Sequence, residues 1–144
     1  MSIQAGNPKR LGYDERHGYF NSGMMLINIS YWREHDILQR SINYIKENSE
    51  ILFLYDQDVL NYVLHDSKKF IGIEYNFFSL YITKMTFDSI DENMKRGVIN
   101  CKPRIIHFIE PKPWTIFSYK FPLTRVWEKY CKVSLWSSPF FKEL

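Results

Sequence analysis

Apolar runs of strand length alternate with helical patterns along this chain, and this alternation most constrains its fold. Residues 23–29 (Gly-Met-Met-Leu-Ile-Asn-Ile) are almost continuously apolar, which predicts a strand buried on both faces, as in a mostly parallel sheet. Residues 104–109 form a second apolar run that predicts a buried strand, and residues 69–73 are a shorter candidate. Because helical patterns lie between these runs, the sequence indicates an α/β fold.

Helical periodicity is clearest in two segments. Residues 31–48 are predicted to be helical, in one or two pieces, and Asp36 is a candidate cap for the second piece. Several of their apolar side chains recur on one helical face; these are Leu38, Ile42 and Ile45. A further helix is predicted to begin at Asp56-Gln57-Asp58, because acidic residues are favoured at a helix N-terminus and apolar residues recur behind them.

The remaining segments carry weaker patterns. Residues 1–18 are polar and contain several glycines, which predicts a loop or irregular segment. Residues 84–102 predict a loop with a short helix around Asp91–Lys95, and residues 122–130 are a candidate helix.

The amino-acid composition excludes several classes of protein. The 144 residues, 45% hydrophobic and 17% aromatic, suffice for one domain with a core and exclude a disordered chain. The net charge of +3 is scattered along the chain, which argues against a nucleic-acid binder. Cys101 and Cys131 match no metal-ligand spacing and predict free thiols rather than a disulfide. With no membrane span and no apolar core of a signal peptide, we expect a cytoplasmic protein or one held peripherally at the inner face of the cell membrane.

A polar turn whose residues could bind a ligand precedes the first apolar run. Residues 19–23 (Tyr-Phe-Asn-Ser-Gly) place Gly23 where a backbone could approach a ligand closely. The amide of Asn21 offers both a donor and an acceptor, which suits sugar hydroxyls. The alternative interpretation is a plain turn before a strand.

The Asp56-Gln57-Asp58 motif has the form Asp-x-Asp, which holds a divalent metal in many nucleotide-sugar enzymes. A metal is disfavoured here, because the N-terminus of a helix is a positive environment. Asp58 is therefore expected to cap the helix or to face solvent. For Asp56 and Gln57, capping and contact with a substrate both stay open.

The segment from Ile105 to Trp114 (Ile-Ile-His-Phe-Ile-Glu-Pro-Lys-Pro-Trp) could join a metal ligand to a phosphate ligand. His107 ends the apolar run, and a lysine near a metal can neutralise a departing diphosphate. Pro113 stiffens the turn that presents Lys112. The alternative is a hydrogen-bonded structural histidine at a strand end.

Taken in order, four sequence blocks resemble glycosyltransferase family 8, and within it the bacterial lipopolysaccharide glucosyl- and galactosyltransferases. The blocks are Phe-Asn-Ser-Gly-Met-Met-Leu-Ile-Asn (20–28) with Trp32, Asp-Gln-Asp-x-Leu-Asn (56–61), Tyr75-Asn76, and Ile-His to Lys-Pro-Trp (106–114). The ending Ser-Pro-Phe (138–140) is similar to the Ser-Pro-Trp ending of that branch. The resemblance implies a GT-A fold, that is, a Rossmann-like mixed sheet with flanking helices. It also implies a UDP-sugar donor, a divalent metal (Mn²⁺ or Mg²⁺) and retention of anomeric configuration.

For the donor sugar, the resemblance assigns four residues. Asn21 and Gly23 would line the sugar site, and Asp56 would bind sugar hydroxyls. Gln57 would lie under the anomeric carbon, opposite the leaving group, where its side-chain oxygen stabilises developing positive charge. Asp56 and Gln57 are therefore the candidate catalytic residues.

For the diphosphate, the resemblance assigns His107 as a metal ligand and Lys112 as a phosphate contact, with Trp114 supporting the turn. This chain departs from the family pattern in two respects. Glu110 stands where a glycine is usual, and the interval from histidine to lysine is one residue shorter. An anion near a diphosphate repels it unless it points away.

The family places its nucleotide-binding strands and metal-binding Asp-x-Asp before the block at residues 20–28. We therefore expect a single partial domain: an irregular segment (1–18), transferase core motifs (19–116) and a C-terminal tail (117–144), with the other metal ligands outside this chain. The expected donor is UDP-glucose or UDP-galactose, and the expected acceptor is lipopolysaccharide core or a related glycan. The alternative is a non-catalytic fragment or a remnant that binds acceptor glycan.

Overall fold

A computed structural model of the chain describes residues 6–109, 112–115 and 123–134. The chain divides into two compact units, Met1–Ile71 and Gly72–Leu144. Across the described residues, no helix is both long enough and apolar enough to cross a membrane.

The first unit is helical in its described part. Its α-helices are α1 (Pro8–Leu11), α2 (Ile29–Glu34), α3 (Ile37–Asn48) and α4 (Tyr55–Val63), with short 3₁₀-helices at Glu15–His17 and Ser49–Ile51. The short α1 has good local reasons to form. The Asn7 side chain accepts hydrogen bonds from the backbone N–H groups of Lys9 and Arg10, Pro8 occupies the first turn, and Gly12 ends the helix at φ 87°, a conformation that glycine adopts without strain. The prediction of an irregular segment over residues 1–18 is thus wrong for residues 8–11 and 15–17.

The core of the first unit forms where α3 packs on α4. Its buried members come from these two helices and the residue that ends α4; they are Ile37, Tyr44, Val59, Val63 and Leu64. The Tyr44 ring stacks on Tyr62 at a centroid distance of 3.7 Å. Because the Tyr44 hydroxyl donates to the Leu11 carbonyl at 2.9 Å, this core also ties down the end of α1.

The second unit combines short helices with a minimal sheet. Its helices are α5 (Lys84–Ser89), α6 (Glu92–Asn100) and α7 (Thr124–Val133), with 3₁₀-helices at Ile73–Tyr75 and Ser79–Ile82. Strands β1 (Phe77–Phe78) and β2 (Ile106–His107) pair in parallel, with Phe77 opposite Ile106 and Phe78 opposite His107. The strand predicted at 104–109 is confirmed at its centre, and α7 confirms the helix predicted near 122–130.

The strand predicted at residues 23–29 is wrong. Residues 25–28 have no regular structure, α2 begins at Ile29, and Leu26 is 96% exposed. An apolar run specifies burial, but a strand also needs a neighbouring strand to satisfy its backbone groups. The described part of the first unit contains no strand, so this run has no pairing partner there.

The predicted apolar face of α3 is also wrong. Leu38 is 72% exposed, whereas Ile37 is fully buried; packing against α4 selects a different face from the one the sequence pattern favoured. The Asp36 side chain makes no capping hydrogen bond to α3.

Two segments and the two cysteines carry further expectations from the sequence. The segment 69–73 forms no strand, because the pairing with β2 is made later, at β1. Residues 84–102 hold two helices rather than a loop with one short helix. Cys101 and Cys131 are free thiols, as predicted.

Candidate active site

The first turn of α4 separates three adjacent side chains into three environments. Asp56 is exposed, Gln57 is only 7% exposed, and Asp58 is completely buried. A helix rotates successive residues by about 100°, so neighbours in sequence face different surroundings. The Asp-Gln-Asp motif therefore does not act as a single acidic patch.

Gln57 organises the polar turn at residues 21–23. Its Oε1 accepts from Nδ2 of Asn21 at 2.7 Å and from the backbone N–H of Ser22 at 3.1 Å. Its Nε2 donates to the Tyr19 hydroxyl at 3.1 Å. The Gly23 N–H donates to Oδ1 of Asn21 at 3.0 Å, so the whole turn is linked to this one amide.

Asp56 presents the exposed carboxylate of this region. Its Oδ2 accepts from the Ser22 hydroxyl at 3.0 Å. A carboxylate oxygen accepts further hydrogen bonds, so an exposed carboxylate beside an amide can accept from the hydroxyls of a ligand. We name residues Asn21, Ser22, Gly23, Asp56 and Gln57 the candidate sugar site.

Asp58 is a structural centre rather than an exposed group. Its Oδ1 accepts from Arg10 at 2.9 Å and from the Tyr19 hydroxyl at 2.7 Å. Its Oδ2 accepts from the backbone N–H groups of Phe53 and Leu54 at 2.8 and 2.9 Å. Burial by itself would raise the pKa of Asp58, but these hydrogen bonds, led by that of Arg10, hold the pKa below its usual value. Asp58 is not the N-cap of α4, which is Leu54 with no side-chain capping hydrogen bond. The expected capping role is therefore not confirmed, and the expected solvent exposure is wrong.

Asn61 ends the sequence block at residues 56–61, but the sequence assigned it no role. Its Oδ1 accepts from the Phe20 N–H at 2.8 Å, and its Nδ2 donates to the Phe20 carbonyl at 2.7 Å and to the Gln57 carbonyl at 2.9 Å. The amide thereby anchors the chain just before Asn21. The available signal was its spacing, since a residue four positions after Gln57 lies on the same helical face.

In the second unit, β2 orients His107. Nδ1 of His107 lies 2.9 Å from Oδ1 of Asn76. A carbonyl oxygen only accepts, so this nitrogen carries the ring proton. Asn76 lies just before β1, and Phe78 is the residue opposite His107 in the strand register. The Phe78 ring meets the imidazole edge-to-face at 5.4 Å.

The charge state of His107 suits a ligand role. Burial, followed by the positive charge of Lys112, lowers the pKa of His107. The imidazole is therefore neutral near pH 7 with its proton on Nδ1, so Nε2 has a lone pair to donate. Across the described residues, Nε2 has no hydrogen-bond partner.

Lys112 bends back to the end of the strand. Its Nζ donates to the Phe108 carbonyl at 2.8 Å. Pro113 is buried, and the half-exposed Trp114 lies against Trp127 with ring centroids 6.0 Å apart. Glu110 lies outside the described residues, so its predicted effect on a phosphate stays a prediction.

One histidine does not complete a metal site. The described part of the chain contains no group of three or more His, Cys, Asp or Glu side chains that could hold a metal ion. His107 could therefore supply one ligand of a divalent metal site, with Nε2 as the donor atom.

Sequence comparison identifies the relatives of this chain. It is 32% identical over 127 residues to the lipopolysaccharide glucosyltransferase WaaO of Escherichia coli, covering 84% of this chain and 35% of that protein. It is 33% identical over 103 residues to a lipopolysaccharide 1,3-galactosyltransferase of Salmonella typhimurium, covering 67% of this chain and 28% of the other.

Comparison with solved structures also finds a glycosyltransferase, LgtC. An active-site mutant of LgtC superimposes with a TM-score of 0.68 at 24% identity, covering 90% of this chain and 48% of the LgtC chain. The galactosyltransferase LgtC in complex with donor and acceptor sugar analogues gives a TM-score of 0.64 at 22% identity. The fold is thus that of part of LgtC, and the chain spans about half of that structure and about a third of WaaO.

The family profile spans most of the chain and both units. It matches residues 4–116, which include the candidate sugar site and His107. By this match, the chain belongs to glycosyl transferase family 8.

Proposed function

We propose that this chain is the C-terminal portion of a retaining GT-A hexosyltransferase, which transfers glucose or galactose from a UDP-sugar to lipopolysaccharide core or a related glycan. One observation carries the proposal. In a chain of this family, Asn21, Ser22, Asp56 and Gln57 are joined by hydrogen bonds into one polar site on the first turn of α4. A cytoplasmic location, peripheral at the inner face of the membrane, fits the lipid-linked acceptor.

The exposed groups of the site bind the donor sugar. Asp56 accepts hydrogen bonds from sugar hydroxyls, in place of or in addition to the Ser22 hydroxyl. The Asn21 amide supplies a donor and an acceptor beside it. Charge-assisted hydrogen bonds are about twice as strong as neutral ones, so Asp56 contributes most to sugar affinity.

Gln57 acts at the anomeric carbon. In the structure its Oε1 accepts two hydrogen bonds, from Asn21 and Ser22. When Asn21 donates to a sugar hydroxyl instead, one lone pair of Oε1 becomes available. That oxygen then faces positive charge that develops as the sugar–phosphate bond breaks, and a preorganised dipole there lowers the barrier.

His107 and Lys112 serve the leaving diphosphate. His107 would contribute Nε2 to a divalent metal whose remaining ligands lie outside this chain. When bound, such a metal neutralises negative charge on the diphosphate. Lys112 would exchange the Phe108 carbonyl for a phosphate oxygen, which is a stronger acceptor because it is charged.

A direct test measures UDP release from UDP-glucose and UDP-galactose in the presence of Mn²⁺, with and without lipopolysaccharide core. We expect turnover with one donor, and a loss of about tenfold or more in Asp56→Asn and Gln57→Ala, since each removes a transition-state contact. Asp66→Asn is the matched control, because Asp66 is an exposed aspartate beyond the far end of α4. No turnover with either donor would exclude catalysis by this chain alone.

The second candidate function is a non-catalytic module that binds acceptor glycan. The candidate sugar site lies wholly within the first unit, so a sugar could bind there without a nucleotide. Calorimetry separates the two functions. The module predicts glycan binding with no heat on addition of UDP and Mn²⁺, whereas the transferase predicts binding of UDP-sugar.

A further inference from the structure

The hydroxyl of Tyr19 joins two side chains of α4. It donates to Oδ1 of Asp58 at 2.7 Å and accepts from Nε2 of Gln57 at 3.1 Å. We propose that Tyr19 is a positioning residue that fixes which end of the Gln57 amide faces the sugar. This inference rests on the proposed function, because it concerns the same site.

The direction of each hydrogen bond follows from the chemistry of the partners. An ionised carboxylate only accepts, and Asp58 is surrounded by donors. Burial, together with the bond to Asp58, raises the pKa of Tyr19, so its hydroxyl keeps its proton. That proton is committed to Asp58, and the Tyr19 oxygen can therefore only accept from Gln57. The nitrogen end of the Gln57 amide must face Tyr19.

The opposite end of the amide is constrained independently. The Ser22 N–H lies 3.1 Å from Oε1 of Gln57, and a backbone N–H can only donate. When Asn21 turns to a sugar, Ser22 and Tyr19 remain as the two anchors of the amide. With Tyr19 lacking its hydroxyl, the buried Nε2 has lost its acceptor, and the amide is held at the oxygen end alone.

Tyr19→Phe removes this hydroxyl with little disturbance of the turn. The backbone of Phe20 stays anchored by both polar atoms of Asn61. Tyr44→Phe is a matched control in the same unit, because it removes a hydroxyl that donates to the Leu11 carbonyl at 2.9 Å and does not contact Gln57.

The experiment combines NMR of the side-chain amide of Gln57 with affinity measurements on the full chain. In Tyr19→Phe, we expect shifted amide signals and faster hydrogen exchange, with the turn signals of Gly23 retained. With Mn²⁺ present, we expect UDP-galactose or UDP-glucose to bind about five- to tenfold more weakly, the equivalent of one hydrogen bond. The affinity for UDP, which lacks the hexose of the donor, should stay as in the wild type.

The outcomes separate the positioning role from the proposed function. Unchanged Gln57 amide signals in Tyr19→Phe would overturn the proposal, and so would an equal loss of UDP-sugar affinity in Tyr44→Phe. Altered amide signals with unchanged UDP-sugar affinity would show that the orientation of Gln57 does not serve the sugar, which also overturns it. Wild-type protein that binds no UDP-sugar would refute the proposed function, and the amide signals alone would then decide whether Tyr19 orients Gln57.

Discussion

Asp58→Asn is expected to destabilise the first unit strongly although it changes only one side-chain atom. The carboxylate accepts four hydrogen bonds, two at each oxygen. An asparagine keeps one oxygen, and its amide nitrogen must face two donors. The arrangement therefore loses two hydrogen bonds and sets donors against each other, whichever way the amide turns.

The magnitude follows from these contacts. Hydrogen bonds to a charged acceptor contribute about 1.5–3 kcal/mol each, so losing two costs about 3 kcal/mol or more. Arg10, whose side chain is 13% exposed, loses its ion pair with Asp58, and breaking a buried ion pair costs about 3–5 kcal/mol. The two figures describe overlapping contacts, so we expect about 3–5 kcal/mol in total.

The assay should report on the first unit alone, because a global probe averages over two units. Hydrogen exchange of peptides spanning α4, followed in increasing urea, measures its free energy of unfolding. Asp56→Asn is the matched control on the same turn. Its carboxylate is exposed and, among the residues that the structure describes, accepts a hydrogen bond only from Ser22, so we expect a change within about 0.5 kcal/mol.

The pH dependence supplies a second check. The lowered pKa of Asp58 means that its stabilisation is fully present above the unfolded pKa of about 4 and is lost as the pH falls through the lower folded pKa. The difference between wild type and Asp58→Asn should therefore shrink below about pH 4. A difference under about 1 kcal/mol at pH 7, or one that does not shrink in acid, would refute this account of the network.

Four other substitutions test the packing and backbone, each by urea unfolding. Ile37→Ala should cost about 2–5 kcal/mol because Ile37 is fully buried, whereas Leu38→Ala, at a 72% exposed position, should change stability by less than about 0.5 kcal/mol; equal effects would contradict the observed face of α3. Gly18→Ala should destabilise by about 1–3 kcal/mol, since φ is +63° and the added Cβ would lie 3.0 Å from the Phe70 ring; an unchanged midpoint would contradict that backbone. Gly97→Ala should stabilise α6 by about 0.5–1 kcal/mol, because in the described part of the chain the added Cβ would meet no atom within 4 Å beyond its chain neighbours and the backbone of its own helix; a loss of stability would show a crowded site.

Local chemistry predicted the parts of the fold that depend on short-range preferences. The start of α4 near Asp56, the parallel-sheet strand around Ile106 and the helix near 122–130 were all predicted from pattern. Elements that depend on a neighbour were predicted poorly. The run at 23–29 has the composition of a strand but no strand beside it in the described first unit, and α3 buries the face of Ile37 because that face meets α4.

The sequence likewise predicted some features of the candidate site and not others. Motif order pointed to Asn21, Asp56 and Gln57 and to the family, because the chemistry of each residue type is visible in the sequence. The separate environments of Asp56 and Asp58 were not visible, since they depend on the rotation of α4 against the turn at residues 19–23. The relation of Tyr19 to Gln57 was likewise hidden, because it spans 38 residues.

The sequence by itself determined the family, the residue types available for sugar and metal chemistry, and the start of α4 near Asp56. Tertiary structure alone decided that Asp58 is a buried anchor, that Gln57 is held between Tyr19 and the Asn21–Ser22 turn, and that Asn76 directs the proton of His107 to Nδ1. The physical reason is that burial and hydrogen-bond direction are properties of contacts between distant segments. A residue's identity limits what it can donate or accept, but only its neighbours decide which of those options is used.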